Sequence, residues 1–185
     1  MSNAKIVVEY TARRVTFHTS LPFTEVAARL EKEINKPAGG PAVFRALGVS
    51  KTKEELESNI NALTDGRDFV YVSAANYFLE MPHDRWLNTY SGSSSTPRTV
   101  VYTFGNPLIA QTMLRHDLSA GLHIPPKLML LEDATGNGTK ILYDDPASVI
   151  AVPDSPGAMV SKELQTAAES LSAKMEYLVK AIVTE

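Results

Sequence analysis

Cysteine is absent from the 185-residue chain, which excludes disulfides, thiolate catalysis, Cys-ligated zinc and iron–sulfur clusters built from its own side chains. Neither sign of charge dominates: 18 Lys and Arg stand against 21 Asp and Glu, a net charge of -3. The chain therefore lacks the basic balance of a protein that wraps nucleic acid phosphates. Long apolar runs are missing too. No stretch approaches the roughly 20 residues of a membrane span, and Ile6-Val7-Val8-Glu9-Tyr10 is too short and too soon charged for a signal peptide's apolar region. No nucleic acid and no membrane are expected as partners, and the chain reads as cytoplasmic. The sequon Asn137-Gly138-Thr139 then reads as a turn.

What the chain does have is core. With 44% of its residues hydrophobic, it can fold as one domain spanning 1–185. Alternation predicts strand over 5–19, with Arg13-Arg14 as a turn or bulge. Val26, Leu30 and Ile34 recur every four residues and predict an amphipathic helix over 22–35, stopped by Pro37-Ala38-Gly39-Gly40-Pro41. Val43 to Leu47 reads as a helical turn, and Thr52 with Glu55 has the spacing of a capping box opening a helix through Leu63. Phe69 to Val72 and Thr99 to Phe104 read as strands. Residues 74–98 form an aromatic excursion with a serine-rich, mobile tip. Gly105-Asn106-Pro107 opens a helix running to about Ala120. Leu128–Leu131 and Ile141–Tyr143 read as a hairpin across Gly136-Asn137-Gly138. Val149 to Val152 make a short apolar piece. A last helix at about 157–183 carries an apolar stripe at spacings of three and four.

The segment 99–150 resembles the core of the DUF302 family. The residues that carry the likeness are Phe104-Gly105-Asn106-Pro107, Gly121-Leu122-His123-Ile124-Pro125 and Tyr143-Asp144-Asp145-Pro146, short motifs in the family's order, with the helix at 22–35 fitting its first helix. The resemblance implies an α+β fold of the TBP-like kind, an antiparallel sheet with helices packed on it, often as a homodimer. It implies no established activity. Many members carry cysteine after the proline, where this chain has Pro126, so a thiol or thiol–metal role does not carry over.

Candidate chemistry begins with the four histidines, the side chains that titrate near neutrality. His116, near a helix end, and His123, in the following loop, have Asp117 close by in sequence and could converge on a substrate. A helix-end histidine favoured by the carbonyl dipole and an ordinary surface histidine explain the same residues. No metal-binding spacing occurs, so no metal and no cofactor are expected. Asn106 could polarise a carbonyl or help hold an anion at the helix start, or simply cap its own helix. The pairs Glu132-Asp133 and Asp144-Asp145 read as solvated edges and turns, because adjacent strand residues face opposite sides. Arg13-Arg14 reads as a solvated turn.

Tyr77, Phe78, Trp86 and Tyr90 lie beside the flexible tip and suggest a lid over an apolar ligand, or else a satellite cluster pinning a long loop. With Tyr102 and Tyr143 they are the expected ligand-binding residues. Three functions follow. The first is a small-molecule binding domain with a cavity between sheet and helices, for a small apolar or mixed-polarity ligand. The second is a cofactor-free enzyme with His116 or His123 as general acid or base and Asn106 as its polar helper. The third is a homo-oligomeric assembly module built on the final helix.

Overall fold

Alternating apolar residues in the middle of the chain dictate a sheet with one face built for burial. The computed structural model describes residues 5–73 and 80–184. Among them, six strands form one antiparallel sheet: β1 (Arg14–Thr19), β2 (Val70–Tyr71), β3 (Glu80–Pro82), β4 (Thr99–Gly105), β5 (Lys127–Glu132) and β6 (Thr139–Asp144). The spatial order is β1-β6-β5-β4-β2, and β3 lies on the same edge of β4 as β2. Central registers are Val100 with Leu130, Leu130 with Ile141, and Ile141 with Phe17. The hairpin β5–β6 therefore forms where the sequence places it. Its Gly138 has a φ of 128°, and a Cβ there would stand 2.3 Å from the carbonyl oxygen of Thr19, so only glycine fits.

Two helices cover the apolar face. α1 (Phe23–Glu33) contributes Val26 and Leu30, and α7 (Lys162–Val183), about 33 Å long, contributes Leu164, Leu171, Met175, Leu178 and Ile182. They bury Tyr102, Phe104, Leu128, Leu130, Ile141 and Tyr143. The stripe of the final helix is thus spent on this chain's own sheet, which removes it as the surface of an assembly module. On the opposite face Val101, Met129, Leu131 and Leu142 are half-buried.

The remaining helices are α2 (Pro41–Val49), α3 (Lys53–Thr64), α4 (His83–Ser91), α5 (Pro107–Leu114) and α6 (Pro146–Ile150), with a 3-10 helix at Leu118–His123. The hydroxyl of Thr52 accepts from Glu55 N at 3.1 Å, as its spacing requires, while the Glu55 carboxylate accepts from Lys51 N at 2.8 Å.

Several expectations are corrected. Residues 5–13 are not strand: Ile6, Val7 and Tyr10 stay exposed and the ladder starts at Arg14, next to Arg13, whose backbone bonds the Ser148 hydroxyl and Asp145 N instead of a neighbouring strand. Val43–Leu47 belongs to a nine-residue helix rather than a single turn. Residues 83–91 of the excursion are helical, with none buried. The helix after Asn106 stops at Leu114, because Asp117 caps a separate 3-10 helix by accepting from Ser119 N at 2.7 Å.

Among the charged doublets Asp145 is corrected, while Arg13, Arg14 and Asp144 are exposed. Arg13 bonds Asp145 (2.5 Å) and Arg14 bonds Asp144 (2.9 Å). Asp145 is buried, and it also accepts from the Ser172 hydroxyl of α7. One carboxylate thus ties the entry of β1 to α6 and α7. It is an anchor rather than a solvated turn residue.

Candidate functional site

The sheet's covered face is filled, and a large hollow opens at its end. There α2 stands beside β2 because Gly40 N donates to Tyr71 O at 2.8 Å and Gly40 bridges Val72. A Cβ on the neighbouring Gly39 would meet Tyr71 O at 2.3 Å, so the chain passes β2 only as glycine. Across from α2, the Asn106 carboxamide oxygen accepts from Leu108 N at 2.9 Å and caps α5, while its nitrogen donates to Asp68 O at 3.1 Å. Asp68 is in turn paired with Lys174 of α7. These contacts hold α2 and α5 apart over the end of β4.

Between them lies a pocket of about 730 Å³. Its floor is Phe69, Val72, Met113 and Leu171, and its walls are Phe44 and Leu47 from α2, Leu56 from α3 and Ile109 and Ala110 from α5. The rim is Leu118, Leu122 and the Ile124-Pro125-Pro126 segment, whose Ile124–Pro125 bond is cis. Leu118 and Leu122 are 82% and 84% exposed, although both are leucines on a 3-10 helix. The charged side chains in the lining are Arg115 and Lys127, and no carboxylate is among them.

The expected site residues fall in different places. Asn106 lines the pocket, with both ends of its amide engaged as described. His116 precedes the 3-10 segment and His123 is its last residue, both outside the lining; His116 is exposed, and its Nε2 accepts from Arg115 Nε at 3.2 Å. Trp86 and Tyr90 lie on α4, 50% and 89% exposed, and neither borders the pocket. The Trp86 indole donates to His83 Nδ1 at 3.1 Å, so that ring is tied to its own helix. Tyr77 and Phe78 lie outside the described residues.

Tyr102 and Tyr143 are core side chains. Burial pushes the Tyr143 hydroxyl's pKa up to about 12, with the Glu176 and Asp145 charges adding to it. Burial raises Tyr102 further, and the carboxylates of Glu80 and Glu31 push the same way. Tyr102 belongs to a group that sequence reasoning missed. Lys36 Nζ lies 2.7 Å from both Glu31 and Glu80 and sits 5.6 and 5.7 Å from the ring centres of Tyr71 and Tyr102. Burial disfavours its charge, but the bonds to Glu31 and Glu80 outweigh that and raise its pKa. Every charge there has a partner, which is how a partly buried ion cluster closes an edge of the sheet.

A smaller polar hollow of about 300 Å³ lies between His18, Asp133 and Lys140. Hydrogen bonds from Thr135 keep the Asp133 carboxyl below its usual range. Among the described residues no group of three or more His, Asp or Glu could hold a metal ion. No helix among them is long and apolar enough to cross a membrane.

The pocket was missed for a physical reason. Its lining comes from residues 43–56, 69–72 and 103–127 and from Leu171, so no single window of sequence contains it. The one local signal was Leu118-Ser-Ala-Gly-Leu122, two leucines in a small-residue segment too short to bury them.

Architecture and site together define an open antiparallel α+β sheet with two helices on one face and an apolar chamber at one end. The sequence model of DUF302, a domain of unknown function, matches residues 73–181, more than half of the chain. The chain belongs to the DUF302 family. A crystal structure of an uncharacterized conserved DUF302 protein from Bacillus stearothermophilus is similar, with a TM-score of 0.58 and 16% identity over 91% of this chain and 97% of that one. At that identity the likeness shows the fold alone. No curated protein matches the chain in sequence.

Proposed function

We propose that this DUF302 protein is a binding domain for a small, predominantly apolar molecule held in the chamber between α2, α5 and the 3-10 segment. The observation that carries the reading is an unfilled volume of about 730 Å³ walled by side chains that elsewhere in this molecule are packed against one another. Ligand sites typically occupy about 300–1,000 Å³ and are lined mainly by apolar groups with a few polar ones. A chain of ten methylenes moved from water into it gains about 8 kcal/mol before association and ordering costs are subtracted. The exposed Leu118 and Leu122 gain a partner only when something occupies the mouth.

The test is occupancy. 1-Dodecanol should bind the native protein saturably with one site, and Ala110→Phe, which places a ring inside the chamber, should abolish that binding while the protein remains folded by circular dichroism. Undiminished binding to the folded variant overturns the reading.

A further inference from the structure

We infer that the chamber takes an anionic amphiphile, an alkyl chain ending in a carboxylate, with its head at Arg115 or Lys127. This rests on the apolar-binding reading and adds the sign of the ligand's charge. Three observations carry it. Acids outnumber bases in the whole chain, yet the charged residues that line this chamber are both cations. Neither is spent: among the described residues no ion pair involves Arg115 or Lys127. Arg115 uses only its Nε, toward His116, which leaves the two terminal guanidinium nitrogens without an acceptor among the described residues.

The geometry separates head from tail. α5 is eight residues long and so spans about 12 Å. Lys127 pairs with Thr103 on β4, close to where that helix begins, whereas Arg115 follows its last residue. A cation therefore stands toward each end of an apolar channel. A tail laid along Ile109, Met113 and Leu122 brings its terminal carboxylate to one of them. A guanidinium offers a carboxylate a two-pronged, charge-assisted bond, and an ammonium offers a point charge. A cationic head would meet like charge at either end.

Three probes that share one tail test this, each below its micelle concentration: dodecanoate, 1-dodecanol and dodecyltrimethylammonium. Dodecanoate should bind about tenfold more tightly than dodecanol at low salt, and the trimethylammonium probe more weakly than dodecanol. Arg115→Gln or Lys127→Gln should erase the carboxylate preference, read as the ratio of dodecanoate to dodecanol affinity on the same variant; both residues are exposed, so the fold is not at risk. The variant that does so names the end that holds the head. Equal affinity for the three probes, or a carboxylate preference that survives in both variants, overturns the charge assignment while the apolar-binding reading stands. Failure of all three probes to bind overturns that reading as well.

Discussion

The two apolar regions of this molecule are built from the same kinds of side chain and end in opposite states. Over the sheet, α1 and α7 press Leu30, Met175 and Ile182 onto Phe104, Leu130 and Ile141, all of them fully enclosed. At the sheet's end, α2 and α5 face each other across a hollow, held apart by backbone and amide bonds that fix both helices from outside. Interiors normally pack to the density of organic crystals. A region that stops short of that, with leucines left in water at its mouth, has been kept open by its frame rather than filled by its side chains.

The contrast can be broken by mutation, beginning with the filled layer. Phe104→Ala removes a fully buried ring that meets Phe69 edge-on at 5.2 Å. It should cost about 3–5 kcal/mol in chemical denaturation. At the chamber's rim, Leu122→Ala should stay within about 0.5 kcal/mol. A large loss at Leu122 would mean the mouth is part of the core.

Adding volume sharpens the difference. Ala168 is fully enclosed on α7, and Ala168→Phe should cost about 1–3 kcal/mol or more through overpacking. Ala110→Phe enters existing space and should cost less than Ala168→Phe in parallel urea unfolding curves. Equal costs would show that the chamber collapses.

Smaller effects concern the frame. Asp145→Asn weakens charge-assisted bonds to Arg13 and Ser172 and should lower stability by about 1–3 kcal/mol. Thr52→Ala removes the cap of α3 and should cost about 1 kcal/mol. Both are read as shifts in denaturation midpoint at constant slope.

The last effect is confined to alkaline pH. Because the hydroxyls of Tyr102 and Tyr143 hold their protons more tightly folded than unfolded, the unfolded chain releases them first as pH passes the ordinary tyrosine value of about 10. Their stabilising contribution is fully present below that value and is lost as pH rises toward the folded value, about 12 for Tyr143. Denaturation from pH 8 to 11.5 should show falling stability, with a shallower fall in Tyr143→Phe. An unchanged slope in that variant would remove Tyr143 from the account.

The filled region was legible and the open one was not, because they are written differently in the chain. Val26-Leu30-Ile34 and the stripe of α7 repeat at helical spacing, and Leu128–Leu130 against Ile141–Tyr143 alternates across a glycine turn, so each element declares its buried face locally. The α+β architecture followed from these. Ile6, Val8 and Tyr10 alternate just as well, but a strand also needs a neighbour to take its hydrogen bonds, and the pattern carries no word of that. His83 to Ser91 folds as a helix with none of its side chains buried, although Trp86, Leu87 and Tyr90 recur at helical spacing. The chamber depends on four separated segments meeting. Asn106 was singled out for its chemistry and does border the chamber, whereas Arg115 and Lys127, its cations, sit in unremarkable sequence.

Methyl NMR during a titration with dodecanoate tests the distinction between the two apolar regions most directly. The account predicts saturable shifts at Leu47, Ile109, Met113 and Leu122, with Leu30 and Ile141 in the filled layer and Met129 and Leu142 on the opposite sheet face unmoved. Saturable shifts confined to Met129, Leu131 and Leu142, with the chamber methyls silent, would contradict it.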